Sequence, residues 1–218
     1  MAANRLTWIF DLDNTLHDYR SRIMPHINRS MTEFLRRDLG LEEAEADRLR
    51  RAYWLRYGAT LVGMMRFHGT DPRRFLHETH HLPDLERLVL AERGLRHALR
   101  RIPGRKLLFS NAPLAYAERI LRALRLETSF DALYCIERAR FHPKPSRRGF
   151  RVMIRAERLV AERCVLVDDT VENLRTAKTL GMKTVWVSRE VRVPLSVDVR
   201  VASVLALPRL ADDLSKLS

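Results

Sequence analysis

The chain has 218 residues, 46% of them hydrophobic, and carries 40 Lys plus Arg against 27 Asp plus Glu, a formal charge of +13. This length and apolar share suit one folded domain, or a core domain with a subsidiary module, and exclude a disordered chain. No apolar run approaches the roughly 18 residues that span a bilayer, and MAANRLTWIFDLDNTL turns acidic too early for a signal peptide.

Leu6–Phe10 (LTWIF) is a short apolar run that stops at Asp11, the pattern of a buried parallel strand. From about His17 to Arg100 no convincing strand occurs. Helical periodicity instead covers Met31–Leu39, Glu42–Leu55 and Leu85–Leu99, punctuated by Gly40, Gly58, Gly63, Gly69 and Pro72. His77 and His81 lie one helical turn apart in this stretch, but no third ligand stands nearby, so they read as a solvated face. Further strands are expected at Lys106–Phe109, Leu133–Ile136, Cys164–Val167, Lys183–Val187 and Val199–Leu205, separated by helices at Leu114–Leu126, Arg147–Val160 and Val171–Leu180. Alternation of this kind implies βαβ units and an α/β fold, a doubly wound parallel sheet with an all-helical insertion. The expected division is a core of 1–16 and 101–218 with a helical module at 17–100.

The positive charge invites a nucleic-acid reading. Yet 35 of the 40 basic residues are Arg, scattered mostly as single residues or pairs, where a binding arm concentrates charge in a block. Cys135 and Cys164 both sit in apolar runs, which argues against a disulfide framework or zinc cluster and favours the cytoplasm.

The strand ends carry the chemistry. In open α/β sheets ligands bind beyond the carboxyl ends of the strands. Asp11 and Asp13 follow the first strand at a spacing that points both the same way. Asp168 and Asp169 follow the Cys164–Val167 run, and Ser110-Asn111 follows Phe109. Carboxylates gathered at one edge repel unless a cation or a transferred group separates them, and hard oxygens of this kind suit Mg²⁺. Each pair taken singly also fits a turn or a helix cap. His142-Pro143-Lys144-Pro145 adds one of only five lysines in a stiff loop, where a compact ammonium can neutralise a carboxylate and a phosphate together.

These segments, taken together, resemble the haloacid dehalogenase-like phosphohydrolases. FDLDNTL at Phe10–Leu16 looks like the nucleophile motif, LLFSNA at Leu107–Ala112 the serine motif, HPKP the lysine motif, and VLVDDTVEN at Val165–Asn173 the acidic metal motif, all in the family's order. The resemblance implies a Rossmann-like core with a cap. Asp11 would be the nucleophile forming an aspartyl-phosphate, and Asp13 the acid for the leaving alkoxide and then the base for water. Ser110 would bind the transferring phosphoryl group, helped by the Asn111 amide, and Lys144 would neutralise charge on both. Mg²⁺ would be held by Asp11, the Asp13 carbonyl and Asp169, with Asp168 behind it. A halide leaves without an acid, so Asp13 favours a phosphatase or mutase over a dehalogenase. Tyr53–Asp71 is similar to a cap segment of the family's pyrimidine 5′-nucleotidases, which carries over Tyr57, Thr60, Gly63 and His68 as substrate-side residues.

The expected activity is therefore a Mg²⁺-dependent phosphomonoesterase acting on a pyrimidine nucleoside 5′-monophosphate, as a monomer or homodimer, with no dedicated nucleic-acid partner and no membrane. The alternatives are a sugar-phosphate phosphatase or phosphoglucomutase of the same fold, and a basic nucleic-acid-binding protein on that scaffold.

Overall fold

A computed structural model describes residues 6–216. Six parallel strands form one sheet: β1 (Thr7–Phe10), β2 (Arg105–Phe109), β3 (Ala132–Tyr134), β4 (Cys164–Asp168), β5 (Lys183–Val187) and β6 (Val199–Val201). Their spatial order is β3-β2-β1-β4-β5-β6. The chain first winds outward from β1 to one edge and then, through β4, to the other. β1 and β4 thus flank the point where the winding reverses, the place where such sheets bind ligands.

The continuous apolar runs have a simple cause. Trp8, Ile9 and Phe10 are all fully buried, with alternate side chains serving opposite faces. Trp8 and Phe10 join Leu108, Val165, Val167 and Val185 on one face, whereas Ile9 joins Leu107, Phe109 and Leu166 on the other. The second face is covered by α8 (Arg147–Ala156), through Phe150 and Met153, and by α9 (Val171–Thr179), through Leu174 and Ala177. The first is covered by α6 (Leu95–Arg101), α7 (Leu114–Ala123) and α10 (Leu207–Lys216).

The cap has its own core. α1 (Met24–Leu39), α2 (Glu43–Tyr57), α3 (Thr60–His68) and α4 (Pro72–Thr79) bring together Phe34, Leu35, Ala46, Leu61, Met64, Phe75 and Leu76. α1 also reaches back, because Ile27 in its first turns packs with the sheet's cluster. No helix among the described residues is long and apolar enough to cross a membrane.

Several elements differ from the sequence reading, each for a local reason. α1 begins at Met24 rather than Met31, since Pro25 is harmless in a first turn. α7 and α8 end early because Arg125 and Arg158 turn left-handed, at φ 56° and 52°. α4 is an additional helix, capped by the Asp71 carboxylate accepting from the Arg73 and Arg74 amides. The expected helix Leu85–Leu99 is two pieces, α5 (Leu85–Leu88) and α6, broken at Gly94 with φ 92°. Residues 82–99, grouped with the cap on sequence alone, bury Leu82, Leu85, Leu95 and Leu99 in the cluster beneath the sheet. β6 stops at Val201, after which the chain turns through Val204–Ala206 into α10.

Candidate active site

Parallel pairing sets the register of the site. Phe10 stands beside Val167, so Asp11 and Asp168 emerge side by side from β1 and β4, and the Asp11 amide donates to the Val167 carbonyl at 2.9 Å. Ser110 leaves β2 on the other side of β1, its amide held by the Tyr134 carbonyl at 3.0 Å.

Lys144 closes the group. Its Nζ donates to Asp11 Oδ1 and to Asp168 Oδ2, both at 2.7 Å, from a side chain that is 2% exposed. Its loop is held by Asn111: Asn111 Nδ2 donates to the Lys144 carbonyl at 3.0 Å, and the Lys144 amide donates to Asn111 Oδ1 at 2.7 Å. The Asn111 side chain is thus spent on the lysine loop, which leaves its backbone amide, the group expected at the phosphoryl oxygens, to face the site. Among the described residues the Asn111 amide N–H donates to nothing. Ser110 Oγ accepts from the Ala112 amide at 3.1 Å and has its own hydrogen left to give.

Asp11, Asp168 and Asp169 each offer a carboxylate oxygen within 4.8 Å of the others. They do not offer it equally. Asp168 accepts from Lys144, from the Thr170 amide at 2.9 Å and from Asn173 Nδ2 at 2.9 and 3.0 Å, which uses both oxygens fully. Asp11 Oδ2 has only a long 3.4 Å contact from Thr15. Asp169 receives the Thr170 hydroxyl at 3.1 Å and lies 3.7 Å from the exposed Arg20.

The electrostatics follow from three carboxylates around one ammonium. Burial pushes the Asp11 carboxyl well above its usual range; Lys144 opposes this, and Asp168, Asp169 and Asp13 add to it. Burial, followed by Asp168, lifts Asp169 to about 6, against Thr170, Lys144 and Arg20. Burial disfavours the Lys144 ammonium, but Asp11 and Asp168 outweigh it and hold the group well above its ordinary value. The cluster retains an excess of negative charge that a hard divalent cation would relieve. The oxygen-only donor set fits Mg²⁺, with Asp11 and Asp169 having the spare acceptor capacity and Asp168 orienting Lys144 behind them.

Asp13 stands apart from that trio through its side chain. Its Oδ1 meets His17 Nε2 at 2.9 Å and accepts from the Tyr116 hydroxyl at 3.0 Å. Neither partner was singled out from the sequence, nor was Trp186, whose Nε1 donates to the Asp169 carbonyl at 2.9 Å. The i, i+4 spacing of Asp13 and His17 and the polar Asn173 on an otherwise apolar face of α9 were the available signals.

The cap residues have other occupations. The Thr60 hydroxyl is buried and donates to the Arg50 carbonyl at 3.1 Å, tying α3 to α2. Gly63 lies under the Tyr53 ring, where an added Cβ would fall 2.1 Å from the nearest ring atom. His68 is exposed and pairs with the Tyr53 hydroxyl at 2.8 Å. Tyr57 belongs to a ring cluster with Tyr53 and Phe67, at centroid separations of 6.2 and 6.1 Å. Its neighbour Gly58 is the element that reaches the core site. At φ +79°, an added Cβ there would meet the Lys144 carbonyl at 2.8 Å and Pro145 Cδ at 2.9 Å. Gly58→Ala should therefore lower stability by about 1–3 kcal/mol. It should also shift the lysine loop, measured as a fall in both Tm and turnover; an unchanged Tm would contradict this packing.

Comparison with known proteins agrees with this geometry. The family model described as haloacid dehalogenase-like hydrolase matches residues 7–181. Phosphate metabolism protein 8 from Saccharomyces cerevisiae is 27% identical over 196 residues, covering 82% of this chain and 60% of that protein. The chain therefore spans about 60% of the length of that curated relative. Among solved structures, a HAD phosphatase from Thermococcus onnurineus superposes with a TM-score of 0.63 at 18% identity, over 94% of this chain and 97% of that one. CbbY from Rhodobacter sphaeroides, in complex with phosphate, gives 0.64 at 18% identity over 93% and 96%. The HAD-hydrolase YfnB from Bacillus subtilis, bound to magnesium, gives 0.61 at 14% identity over 96% and 99%. With the four motifs gathered at one sheet edge and the family model spanning most of its length, the chain belongs to the haloacid dehalogenase-like hydrolases and is an enzyme of that class.

Proposed function

We propose that the protein is a Mg²⁺-dependent phosphomonoesterase that works through an aspartyl-phosphate on Asp11, with a pyrimidine nucleoside 5′-monophosphate as its substrate. The observation that carries this reading is Lys144 Nζ, 2.7 Å from both Asp11 and Asp168 at the reversal point of the sheet. In the first step an Asp11 oxygen attacks phosphorus and the ester bond to the nucleoside oxygen breaks, with Asp13 supplying the proton that the alkoxide needs. In the second, Asp13 takes a proton from water as that water attacks the aspartyl-phosphate, releasing phosphate and restoring Asp11. Ser110 and the Asn111 amide are the donors available to the transferring oxygens, and Lys144 neutralises charge that builds there. Bound Mg²⁺, held by Asp11, Asp169 and the Asp13 carbonyl, supplies the positive charge that lets an anionic nucleophile approach an anionic ester.

In this reading the cap is the unit 17–81, with 82–100 part of the core. The Tyr53–Tyr57–Phe67 rings, next to the Gly58 contact on the Lys144 loop, support a planar base as the substrate's other half. The test is phosphate release by the purified protein from UMP, CMP, AMP, GMP and several sugar phosphates, with Mg²⁺ or with EDTA. The expected result is release only with Mg²⁺, fastest from UMP and CMP. Release from none would overturn the reading; interconversion of sugar phosphates without net release would make the protein a mutase.

A further inference from the structure

Asp13 is held on one side only. The Tyr116 hydroxyl donates to Oδ1 at 3.0 Å and His17 Nε2 meets the same oxygen at 2.9 Å. Among the described residues Oδ2 has no hydrogen-bond partner. Both anchors are themselves fixed. Tyr116 is 2% exposed, sits on α7 directly after the serine motif, and its ring meets that of His80, from the cap, edge-on at 5.8 Å. The His17 side chain is fully buried, and its Nδ1 has no partner. A buried lone pair without a donor costs less than a buried N–H without an acceptor, because backbone and ring N–H groups have a single hydrogen to place and no acceptor stands at Nδ1. His17 is therefore a donor through Nε2, and Asp13 Oδ1 accepts two hydrogen bonds.

We infer that Tyr116 and His17 are positioning residues for the acid–base step: they hold Asp13 by Oδ1 and leave Oδ2 as the oxygen presented for proton transfer. With two donors occupying Oδ1, Oδ2 is the oxygen free to exchange a proton with the ester oxygen or with water. In the first step the Oδ2–H bond breaks as the phosphorus–oxygen bond of the ester breaks, and the proton goes to the departing alkoxide. In the second, Oδ2 accepts a proton from the attacking water. Without the anchors the carboxyl can rotate about its Cβ–Cγ bond and offer either oxygen in unproductive directions. The inference rests on the proposed role of Asp13 and adds how this chain orients it.

The test uses Tyr116→Phe, which keeps the ring and its packing and deletes only the hydroxyl. A second pair is His17→Gln, which keeps a donor, against His17→Leu, which does not. kcat/KM is measured with UMP, whose leaving group is an alkoxide, and with p-nitrophenyl phosphate, whose leaving group needs no proton. This ratio reports only steps up to leaving-group departure, so a slow second step does not obscure it. Tyr116→Phe and His17→Leu should lower kcat/KM for UMP about 10- to 30-fold, change it for the aryl ester less than about threefold, and His17→Gln should recover much of the loss. Equal losses on both esters, or no loss on UMP, would overturn the positioning role while leaving phosphatase activity in place. Wild-type protein that releases phosphate from neither ester would remove the phosphatase reading and this inference with it.

Discussion

Asp11→Asn is expected to abolish phosphate release, by about 1,000-fold or more in kcat, without harming the fold. The loss follows from chemistry, since an amide oxygen cannot form the covalent intermediate. The retained fold follows from electrostatics. Burial holds the Asp11 carboxyl well above its usual range, so its ionised form is one that the fold disfavours. Replacing it with a neutral isostere removes that disfavoured charge, while Lys144 keeps Asp168 as a partner at 2.7 Å. The metal-free variant should thus melt at or above the wild-type temperature. A variant that is inactive because it is unfolded, or folded and still active, would contradict the assignment.

The opposite stability response is expected of Lys144→Met. The side chain is 2% exposed and, among the described residues, is the one cation in direct contact with both Asp11 and Asp168. Its removal leaves two buried carboxylates facing each other, and breaking such a buried group by deleting one partner costs about 3–5 kcal/mol. For a domain of this size that lowers Tm by about 6–20 °C. Activity should fall with it by about 100- to 1,000-fold, because in the proposed reaction the ammonium lies beside the atoms where charge develops. Added Mg²⁺ should raise Tm more in this variant than in wild type, since the cation then supplies the only compensating charge. Wild-type stability and turnover in Lys144→Met would show that the ammonium is incidental. Together the two variants separate the roles of an anion and its partner cation: one trades activity for stability, and the other loses both.

Much of the core was legible because its signals are local. Most strands are short apolar runs bounded by polar residues, and three of the four chemical segments, those carrying Asp11, Ser110 and Asp168, lie at the end of such a run, so the sheet edge could be inferred without any contact being known. The cap was less legible. Its helices use the same apolar residues to pack on one another and on the core, so periodicity alone did not show that Leu95 and Leu99 face the sheet. Left-handed turns at Arg125 and Arg158 shortened helices that propensity would have continued. The partners of the site carboxylates were hidden for a different reason. Tyr116 reaches Asp13 across 103 positions of sequence and Asn111 reaches Lys144 across 33, pairings that only the parallel register creates. Thr60 and Gly63 show the converse, residues singled out by resemblance whose observed contacts are within the cap.

In the proposed reaction a phosphoryl group passes through Asp11. The most direct measurement mixes enzyme, Mg²⁺ and a nucleoside monophosphate labelled with phosphorus-32, quenches in acid within milliseconds, and maps the labelled peptide. Acid-stable, base-labile label is expected on the peptide carrying Asp11, absent in Asp11→Asn and absent when EDTA replaces Mg²⁺. Rapid phosphate release with no label on that peptide, and undiminished release by Asp11→Asn, would contradict that reaction.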